Sequence, residues 1–188
     1  MSLLIFIVQI LEGCLMLVVV ALSIIVAYFA LNSTCMRNSP PVPSCGKTKW
    51  AIIADVSKVL SKRKKQVVMD LGSGWGTLLL PLAKKFPDHH FIGIEYGCIP
   101  YFVSKWRARK MKNVTFVREN FFDSDISKAD ILLTFLLNST MAKITPKCLK
   151  EAKRGALVYA HRFPMKNIKE VRKVFLGSKY DTYYIYKF

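Results

Sequence analysis

The spacing of apolar residues changes twice along the 188-residue chain. From Leu3 to Leu31 the sequence is almost continuously apolar, whereas Trp50 to Leu60 carries apolar residues at helical spacing. Beyond Gln66, short β-branched and aromatic runs alternate with further stretches of helical spacing. The predicted helices there are Thr77 to Lys85, Ile99 to Lys110 and Ala142 to Ala152. The predicted strands are Gln66 to Met69, Phe91 to Ile94, Val114 to Val117, Asp130 to Phe135, Ala156 to Ala160 and Tyr183 to Tyr186.

Most of the predicted strands are solid apolar runs rather than alternating ones. Strands of that kind are buried on both faces, which is typical of a parallel sheet covered by helices. We therefore predict the α/β class, with a doubly wound, mostly parallel, Rossmann-like sheet. The last predicted strand, Tyr183 to Tyr186, alternates in polarity and is compatible with an antiparallel position.

The apolar N-terminal stretch is predicted to be one transmembrane helix. Gly13 to Leu31 contains no charged residue and spans roughly 28 Å at helical rise, enough to cross a bilayer. Met1 and Ser2 offer no basic n-region, so an uncleaved anchor is expected, with residues 3–31 in contact with lipid. Every basic residue lies at or after Arg37, which predicts the N-terminus outside and the remaining chain on the cytoplasmic side.

Three segments follow from these patterns. Residues 1–36 form the predicted anchor, and 37–48 form a linker whose prolines Pro40, Pro41 and Pro43 favour extended backbone. Residues 49–188 are the size of one domain with a single core.

Charge and cysteine content exclude few classes of partner or site. The chain has 29 Lys and Arg against 12 Asp and Glu, a net charge of +17. Such a surface attracts anionic lipid, nucleic acid or acidic protein faces, but it is equally compatible with a solvated exterior. The 5 cysteines are odd in number and lack metal-binding spacing, so we expect reduced thiols and no metal site.

A glycine-rich loop, Asp70 to Gly76, lies between the first predicted strand and the next helix. In such sheets ligands bind beyond the carboxyl ends of the strands, and glycines let the chain turn sharply and a ligand approach the backbone. The third glycine of a dinucleotide motif is missing, because Thr77 or Leu79 occupies that position. The Lys-Ser/Thr pair of a phosphate loop is missing as well. Without its neighbours, the loop is also compatible with a purely structural turn.

The sequence Asp70-Leu71-Gly72-Ser73-Gly74-Trp75-Gly76 resembles the first motif of class I S-adenosylmethionine-dependent methyltransferases. The resemblance implies that the acid and the glycines contact the methionine part and the ribose of the cofactor. Glu95 ends the next predicted strand, where its two carboxylate oxygens can accept both ribose hydroxyl hydrogens. After the third strand, Asn120 and Phe121 occupy the segment that the superfamily places over the adenine, with Asn120 replacing the usual Asp.

The whole chain resembles a narrower group of small membrane-anchored methyltransferases. The group includes the lysine methyltransferases of the adenine nucleotide translocase and of the ATP synthase c subunit, and bacterial relatives. The matching pieces are the anchor, Pro41-Val42-Pro43-Ser44, the glycine loop, Gly93-Ile94-Glu95, Ala129-Asp130 and Arg162-Phe163-Pro164. Trp75 and His161 depart from the pattern, since members of the group often have Asp and some have Cys there.

This second resemblance implies methyl transfer from S-adenosylmethionine to a protein lysine ε-amine, with a protein, in particular a membrane protein, as the substrate. It also implies the bacterial inner membrane or, in a eukaryote, the mitochondrial inner membrane. The expected cofactor-binding residues are Asp70, Gly72, Ser73, Gly74, Gly76, Glu95, Tyr96, Asn120 and Phe121. On the acceptor side we expect Thr134, Phe135 and Arg162, with His161 as a weaker candidate for accepting the amine proton.

Two alternatives stay open at this stage. The basic surface is compatible with a methyltransferase for RNA or a small molecule. Against nucleic acid bases, the Ile131 to Phe135 strand is not followed by the Asn/Asp-Pro-Pro-Tyr segment common in base-modifying enzymes. Trp75 and Asn120 also leave room for a membrane scaffold that keeps the fold with weak catalysis.

Overall fold

The chain is described by a computed structural model that covers residues 2–35, 46–62 and 65–188. It divides into two compact units, Met1–Pro40 and Pro41–Phe188. Most of the predicted linker, residues 37–45, lies outside the described residues. The described part of the second unit begins with Gly46 and a helix that starts at Lys47, inside the range predicted to be linker.

The first unit contains the helix α1, Ser2–Cys35. Within it, Ile5–Tyr28 has a mean hydropathy of 2.7 and is long and apolar enough to cross a membrane. Its apolar side chains between Ile5 and Val26 are exposed.

The second unit contains four helices and seven strands in the described residues. The helices are α2 (Lys47–Leu60), α3 (Leu79–Lys85), α4 (Cys98–Arg107) and α5 (Asn138–Glu151). The strands are β1 (Val67–Leu71), β2 (His90–Ile94), β3 (Val114–Val117), β4 (Ile131–Thr134), β5 (Leu157–His161), β6 (Arg172–Phe175) and β7 (Thr182–Lys187).

The strands form one sheet in the order β3-β2-β1-β4-β5-β7-β6. Strands β1 to β5 pair in parallel, and β7 is antiparallel to both β5 and β6. The order reverses between β1 and β4, because the chain runs outward to β3 and then returns to the other side of β1. The predicted α/β fold with a doubly wound, mostly parallel sheet is confirmed, and the reversal point is where such sheets bind ligands.

Helices cover both faces of the sheet. On one face α2, α3 and α4 pack on strand residues such as Val68, Phe91 and Tyr159. We call these three helices the helical layer. On the opposite face α5 packs through Met141 and Ile144, together with the loops around residues 121–129 and 163–168. Alternate residues of β1, β2, β4 and β5 therefore contribute to two separate cores.

A polar cluster holds α2 against the far end of the sheet. The carboxylate of Asp55 accepts hydrogen bonds from the Tyr183 hydroxyl and from the guanidinium of Arg172. Thr48 donates to Asp181 at 3.1 Å. Asp55 is buried, so these donors offset the cost of removing its charge from water.

The predicted elements are found with shifted ends, and one strand was missed. Strand β6 is an edge strand whose residues are mostly exposed, so it lacks the apolar run that marks the other strands. Helix α5 begins at Asn138, four residues before the predicted start, because its polar first turn carries no hydrophobic periodicity. The helix expected from Thr77 begins at Leu79, since the glycine loop continues through a turn.

Candidate functional site

The glycine loop leaves the carboxyl end of β1 and is tied directly to the end of β2. The amides of Gly72 and Ser73 both donate to the carbonyl oxygen of Ile94 at 2.9 Å, and the Gly76 amide donates to the carbonyl oxygen of Ser73 at 2.9 Å. Gly72 and Gly76 have φ of 78° and 70°, a backbone conformation that side chains disfavour. The loop is therefore compact and its glycines are structurally required.

Glu95 connects this loop to the start of α4. Its Oε2 accepts a hydrogen bond from the Gly74 amide and its Oε1 accepts one from the Gly97 amide, each at 2.7 Å. The side chain is only 5% exposed, and burial raises the pKa of Glu95, while the backbone donors Gly97, Gly74 and Tyr96 lower it. Three backbone amides thus support the ionised carboxylate at the edge of the sheet.

Asp70 lies one residue before the end of β1 and is 5% exposed. Burial, followed by the negative charge of Glu95, raises the pKa of Asp70 to about 7. In the described part of the chain no donor reaches the Asp70 carboxylate, which explains why burial prevails at this acid and is opposed at Glu95. A cationic group placed beside Asp70 would favour its ionised form.

Two glycines allow the Phe116 ring to pack closely against the loop and β2. A Cβ atom on Gly93 would lie 2.4 Å from the Phe116 ring and 2.8 Å from Ser73 Oγ, and one on Gly76 would lie 2.9 Å from the same ring. Ser73 Oγ is itself buried and has no hydrogen-bond partner among the described residues. The ring of Phe116 fills this space, and the unpaired hydroxyl is available to a ligand.

The segment after β3 is a tight turn. Asn120 Oδ1 accepts a hydrogen bond from the Phe122 amide at 3.2 Å, and the Phe121 and Phe122 rings lie 4.7 Å apart. Glu119, which could have replaced Asn120 as an adenine partner, instead accepts a hydrogen bond from the Ser124 hydroxyl at 2.5 Å. Asn120 therefore keeps its side-chain NH₂ and one oxygen lone pair for further partners.

The predicted acceptor-side residues lie at the carboxyl ends of β4 and β5, which follow β1 in the strand order. Thr134 is buried and donates to the Tyr159 carbonyl oxygen at 3.4 Å. The Phe135 ring stacks on the His161 imidazole at 4.1 Å, with 28° between the planes. Leu136 contacts the loop, since a Cβ on Gly72 would meet its Cδ2 at 3.2 Å. An apolar and aromatic wall thus adjoins the glycine loop.

His161 is the last residue of β5 and is 7% exposed. Burial, then the charge of Arg162, lowers the pKa of His161 to about 4, so the imidazole is neutral at pH 7. Its Nδ1 is buried and has no hydrogen-bond partner among the described residues. A group of this pKa is a poor proton acceptor near neutrality, whereas a neutral ring can still accept a hydrogen bond.

Arg162 and Tyr180 form a neighbouring pair. Arg162 adopts φ of 67°, its amide donates to the Thr182 carbonyl oxygen at 2.7 Å, and its guanidinium lies 4.3 Å from the centre of the Tyr180 ring. A non-glycine residue in this backbone region is uncommon and is often found near functional sites.

Several contacts at this edge were missed from the sequence. Arg107, on α4, donates to the Trp75 carbonyl oxygen at 2.6 Å and so fixes the far side of the loop. Tyr180 pairs with Arg162, and Gly97 donates to Glu95. No local pattern distinguishes Arg107 from the neighbouring basic residues, since only the crossing of α4 beside the loop brings it there.

The residues present fit a nucleoside-bearing cofactor. Each Glu95 oxygen accepts one backbone hydrogen bond and retains a lone pair for a hydroxyl donor. The Ser73 hydroxyl is buried and has no hydrogen-bond partner among the described residues. The glycines of the loop carry no side chain, so a ligand can approach the backbone of the loop closely. Asp70 offers an acid for a positive group.

The fold and the location of this site define a class of protein, the Rossmann-like α/β proteins that bind a ligand where the strand order reverses. An RNA methyltransferase from Salinibacter ruber, solved with S-adenosylhomocysteine, superposes with a TM-score of 0.66 and 24% identity, covering 79% of this chain and 93% of that chain. A putative transferase from Pyrococcus horikoshii gives a TM-score of 0.56 and 17% identity, over 76% of this chain and 65% of the other. At these identities the likeness concerns the fold.

Sequence comparison identifies the family. The ANTKMT methyltransferase domain matches residues 70–172, which is more than half of the chain. The protein belongs to this family and is an S-adenosylmethionine-dependent methyltransferase, which confirms the predicted enzyme class and cofactor.

Two curated relatives align over most of their length. A protein-lysine N-methyltransferase of Saccharolobus islandicus (strain REY15A) is 31% identical over 158 residues, covering 80% of this chain and 96% of the relative. A lysine N-methyltransferase of Caenorhabditis elegans, named for the ATP synthase c subunit, is 29% identical over 168 residues, covering 84% of this chain and 83% of the relative.

Proposed function

We propose that the protein is a membrane-anchored enzyme that methylates the ε-amine of lysine residues in a protein substrate. The observation that carries this proposal is the pair of relatives above, both named for lysine N-methylation and both aligned along most of this chain. An apolar acceptor edge, built from Phe135 and Leu136, adds physical support.

We assign cofactor binding to the residues around the glycine loop. Glu95 would accept the ribose hydroxyls through the lone pairs that its backbone bonds leave free, and Ser73 would supply its unpaired hydroxyl. Asp70 would pair with the amino group of the methionine part, which favours ionisation of this acid. The full set is Asp70, Gly72, Ser73, Gly74, Gly76, Glu95, Tyr96, Asn120 and Phe121.

When bound, S-adenosylmethionine supplies an electrophilic methyl group on a positively charged sulfur. The residues of the acceptor side then have to orient a neutral amine and exclude water, since positioning contributes most to such transfers. Phe135 and Leu136 would exclude water along the lysine stem, and the Thr134 hydroxyl ties the end of β4 to Tyr159 of β5. Arg162, held by Tyr180, is in a position to orient a carboxylate or carbonyl of the substrate protein.

His161 is assigned a hydrogen-bonding role toward the amine. Its lowered pKa makes the ring a weak base, so the amine proton is released to solvent before transfer rather than stored on this residue. Nδ1 is the one described side-chain nitrogen of the acceptor side that is buried without a partner, and it can accept a hydrogen bond from an amine N–H.

Anchoring is proposed from α1 and from the distribution of charge. Ile5–Tyr28 is long and apolar enough to cross a membrane, and all of the basic residues of the chain follow it in the sequence. By the positive-inside rule the N-terminus lies outside and the catalytic unit lies on the cytoplasmic side of a bacterial inner membrane, or on the corresponding side of the mitochondrial inner membrane. Such an anchor would keep the enzyme close to membrane-embedded substrates.

The experiment that tests the proposal supplies the full chain with methyl-labelled cofactor and separated fractions of membrane protein, soluble protein, RNA and lipid. We expect label in protein, recovered as methyl-lysine after acid hydrolysis. A Glu95→Gln variant serves as the control, because its weakened cofactor binding should strongly reduce the label at a cofactor concentration that does not saturate it. Label in RNA or lipid alone would contradict the lysine assignment, and no transfer to any fraction, despite binding of S-adenosylhomocysteine, would favour a scaffold.

A further inference from the structure

Two exposed tryptophans of the second unit each carry a basic side chain on their ring. On α2, Trp50 is 59% exposed and Lys49 Nζ lies 4.6 Å from its ring centre. On α4, Trp106 is 62% exposed and the Arg109 guanidinium lies 4.2 Å from its ring centre. Tryptophan rings are large apolar surfaces, so leaving two of them in water is costly unless they meet a partner.

Both tryptophans belong to the helical layer on one face of the sheet. The inner sides of α2, α3 and α4 pack into the same core, and both tryptophan rings are exposed. Phe102, one turn before Trp106, is exposed as well. We call the residues Lys49, Trp50, Phe102, Lys105, Trp106 and Arg109 the aromatic–basic face.

The charge of this layer has a single sign. Helices α3 and α4, both fully described, contain no acidic residue, and they contribute the basic residues Lys84, Lys85, Lys105 and Arg107. The acid of α2, Asp55, is buried and pairs with Lys58 and Arg172, and no ion pair joins it to a basic residue of the aromatic–basic face. The outer side of the layer thus combines apolar rings with uncompensated positive charge.

We propose that the aromatic–basic face docks on the surface of an anionic lipid bilayer. Tryptophans prefer the membrane interface, where the ring lies among headgroups and acyl chains, and basic side chains are attracted by anionic lipid. Phe102 and the two tryptophans insert, while Lys49, Lys105 and Arg109 contact headgroup phosphates. The inference rests on the proposed anchor, because only residues 36–46 separate α1 from α2 in the sequence and so tether the second unit to the bilayer.

The opposite face provides an internal comparison. Helix α5 also exposes lysines, Lys143 and Lys150, but it contains no aromatic residue. Charge attracts either lipid or nucleic acid, whereas exposed apolar rings at a basic surface are typical of interfacial membrane contact. Lipid is therefore the favoured occupant of the helical layer, and RNA becomes an outcome of the test.

The test uses tryptophan fluorescence of the full chain in vesicles that contain brominated lipid, which quenches rings at the acyl boundary. The chain has 3 tryptophans, so the pair Trp50→Phe and Trp75→Phe leaves Trp106 as the reporter, and Trp75→Phe with Trp106→Phe leaves Trp50. The matched control places a reporter on the opposite face, as L149W in a chain with all three tryptophans changed to Phe. Leu149 is 62% exposed on α5.

We expect strong quenching of Trp50 and Trp106 in vesicles of phosphatidylserine and phosphatidylcholine, and weak quenching of the L149W reporter. Quenching should decline in pure phosphatidylcholine and at high salt. Changing Lys105 and Arg109 together to Gln should weaken docking by about fivefold per charge removed, whereas Lys143→Gln with Lys150→Gln should leave it unchanged.

Equal quenching of Trp106 and of the L149W reporter, or no dependence on anionic lipid, would overturn the docking proposal. Protection of Trp106 from an aqueous quencher by single-stranded RNA, without quenching by brominated lipid, would replace lipid with nucleic acid. Two further measurements separate the proposals. Alkaline extraction of the same vesicle-bound protein tests the α1 anchor, and lysine labelling tests the proposed activity. Failure of docking is therefore distinguishable from failure of either.

Discussion

Two buried acids beside the glycine loop have different surroundings, and the difference determines their charge. Three backbone amides, those of Gly97, Gly74 and Tyr96, support the carboxylate of Glu95. The carboxylate of Asp70 has no donor among the described residues, and burial together with the charge of Glu95 raises its pKa to about 7. Glu95 is thus organised before any ligand arrives, whereas Asp70 becomes fully charged only when a cation approaches.

Changing Glu95 to Gln should weaken the binding of S-adenosylhomocysteine by roughly 10- to 100-fold, because hydrogen bonds to a charged group contribute about 1.5–3 kcal/mol. The Gln side chain has one oxygen and one NH₂ group. It therefore cannot accept hydrogen bonds on both sides, from the Gly74 amide and from the Gly97 amide, as the two carboxylate oxygens of Glu95 do. Calorimetry measures the change. Glu151→Gln, on the opposite face, is the control and should bind normally; equal affinity of the Glu95 variant would remove this residue from the site.

The pH dependence of stability separates Asp70 from His161. The pKa of His161 falls from 6.5 to about 4 on folding, so its contribution is complete above pH 6.5 and is lost as the pH falls toward 4. The pKa of Asp70 rises from 3.8 to about 7, so its contribution is complete below pH 3.8 and is lost as the pH rises through 7. The two effects oppose each other over the same range.

Single variants should reveal each effect. As the pH is raised, the free energy of unfolding of Asp70→Asn, relative to the unmodified chain, should rise between pH 4 and 7 by about 4 kcal/mol. That of His161→Gln should fall between pH 4 and 6.5 by about 3 kcal/mol. Urea unfolding across this range measures both. Parallel pH profiles for the two variants would show that these groups do not titrate as described.

At the scale of elements, the close contact between β2, β3 and the loop depends on one small residue. A Cβ on Gly93 would lie 2.4 Å from the Phe116 ring and 2.8 Å from Ser73 Oγ. Both neighbours belong to packed elements, so the ring or the loop has to move to accommodate a methyl group.

Gly93→Ala should therefore destabilise the protein by about 1–3 kcal/mol and displace the loop, weakening cofactor binding more than a surface change does. Thermal unfolding and calorimetry measure the two effects. Gly155→Ala serves as a comparison, because a Cβ on Gly155 would meet nothing within 4 Å. The φ of Gly155 is 84°, which disfavours a side chain, so the stability lost in this variant measures backbone strain without a steric clash. Normal cofactor affinity in Gly93→Ala would mean that Phe116 yields without moving the loop.

The elements were predictable wherever apolar spacing alone identifies them. Strands β1, β2, β4 and β5 are largely buried and appear in the sequence as apolar runs, and the loop after β1 is marked by its glycines. Strand β6 was missed because an exposed edge strand needs no such run. The hydrogen bond from Arg107 to Trp75 and the pairing of Arg162 with Tyr180 depend on contacts distant in sequence, and no spacing pattern encodes them.

At the scale of the whole molecule, the proposed anchor has a direct consequence. The full chain should remain in the membrane pellet after alkaline carbonate extraction, because Ile5–Tyr28 is long and apolar enough to span the bilayer. A chain lacking residues 1–36 should appear in the supernatant or bind only through its basic surface and be released by salt. Extraction of the full chain by carbonate would contradict the anchor and leave the family assignment untouched.

The family, the fold and the glycine loop agree on methyl transfer, and the acceptor is the remaining question. The most direct measurement is mass spectrometry of membrane-protein lysines in cells with the gene, without it, and with the Glu95→Gln variant in its place. We predict methylated lysine on at least one membrane protein only in cells that carry the unmodified gene. Identical lysine methylation in all three would contradict the assignment of this protein as a lysine methyltransferase.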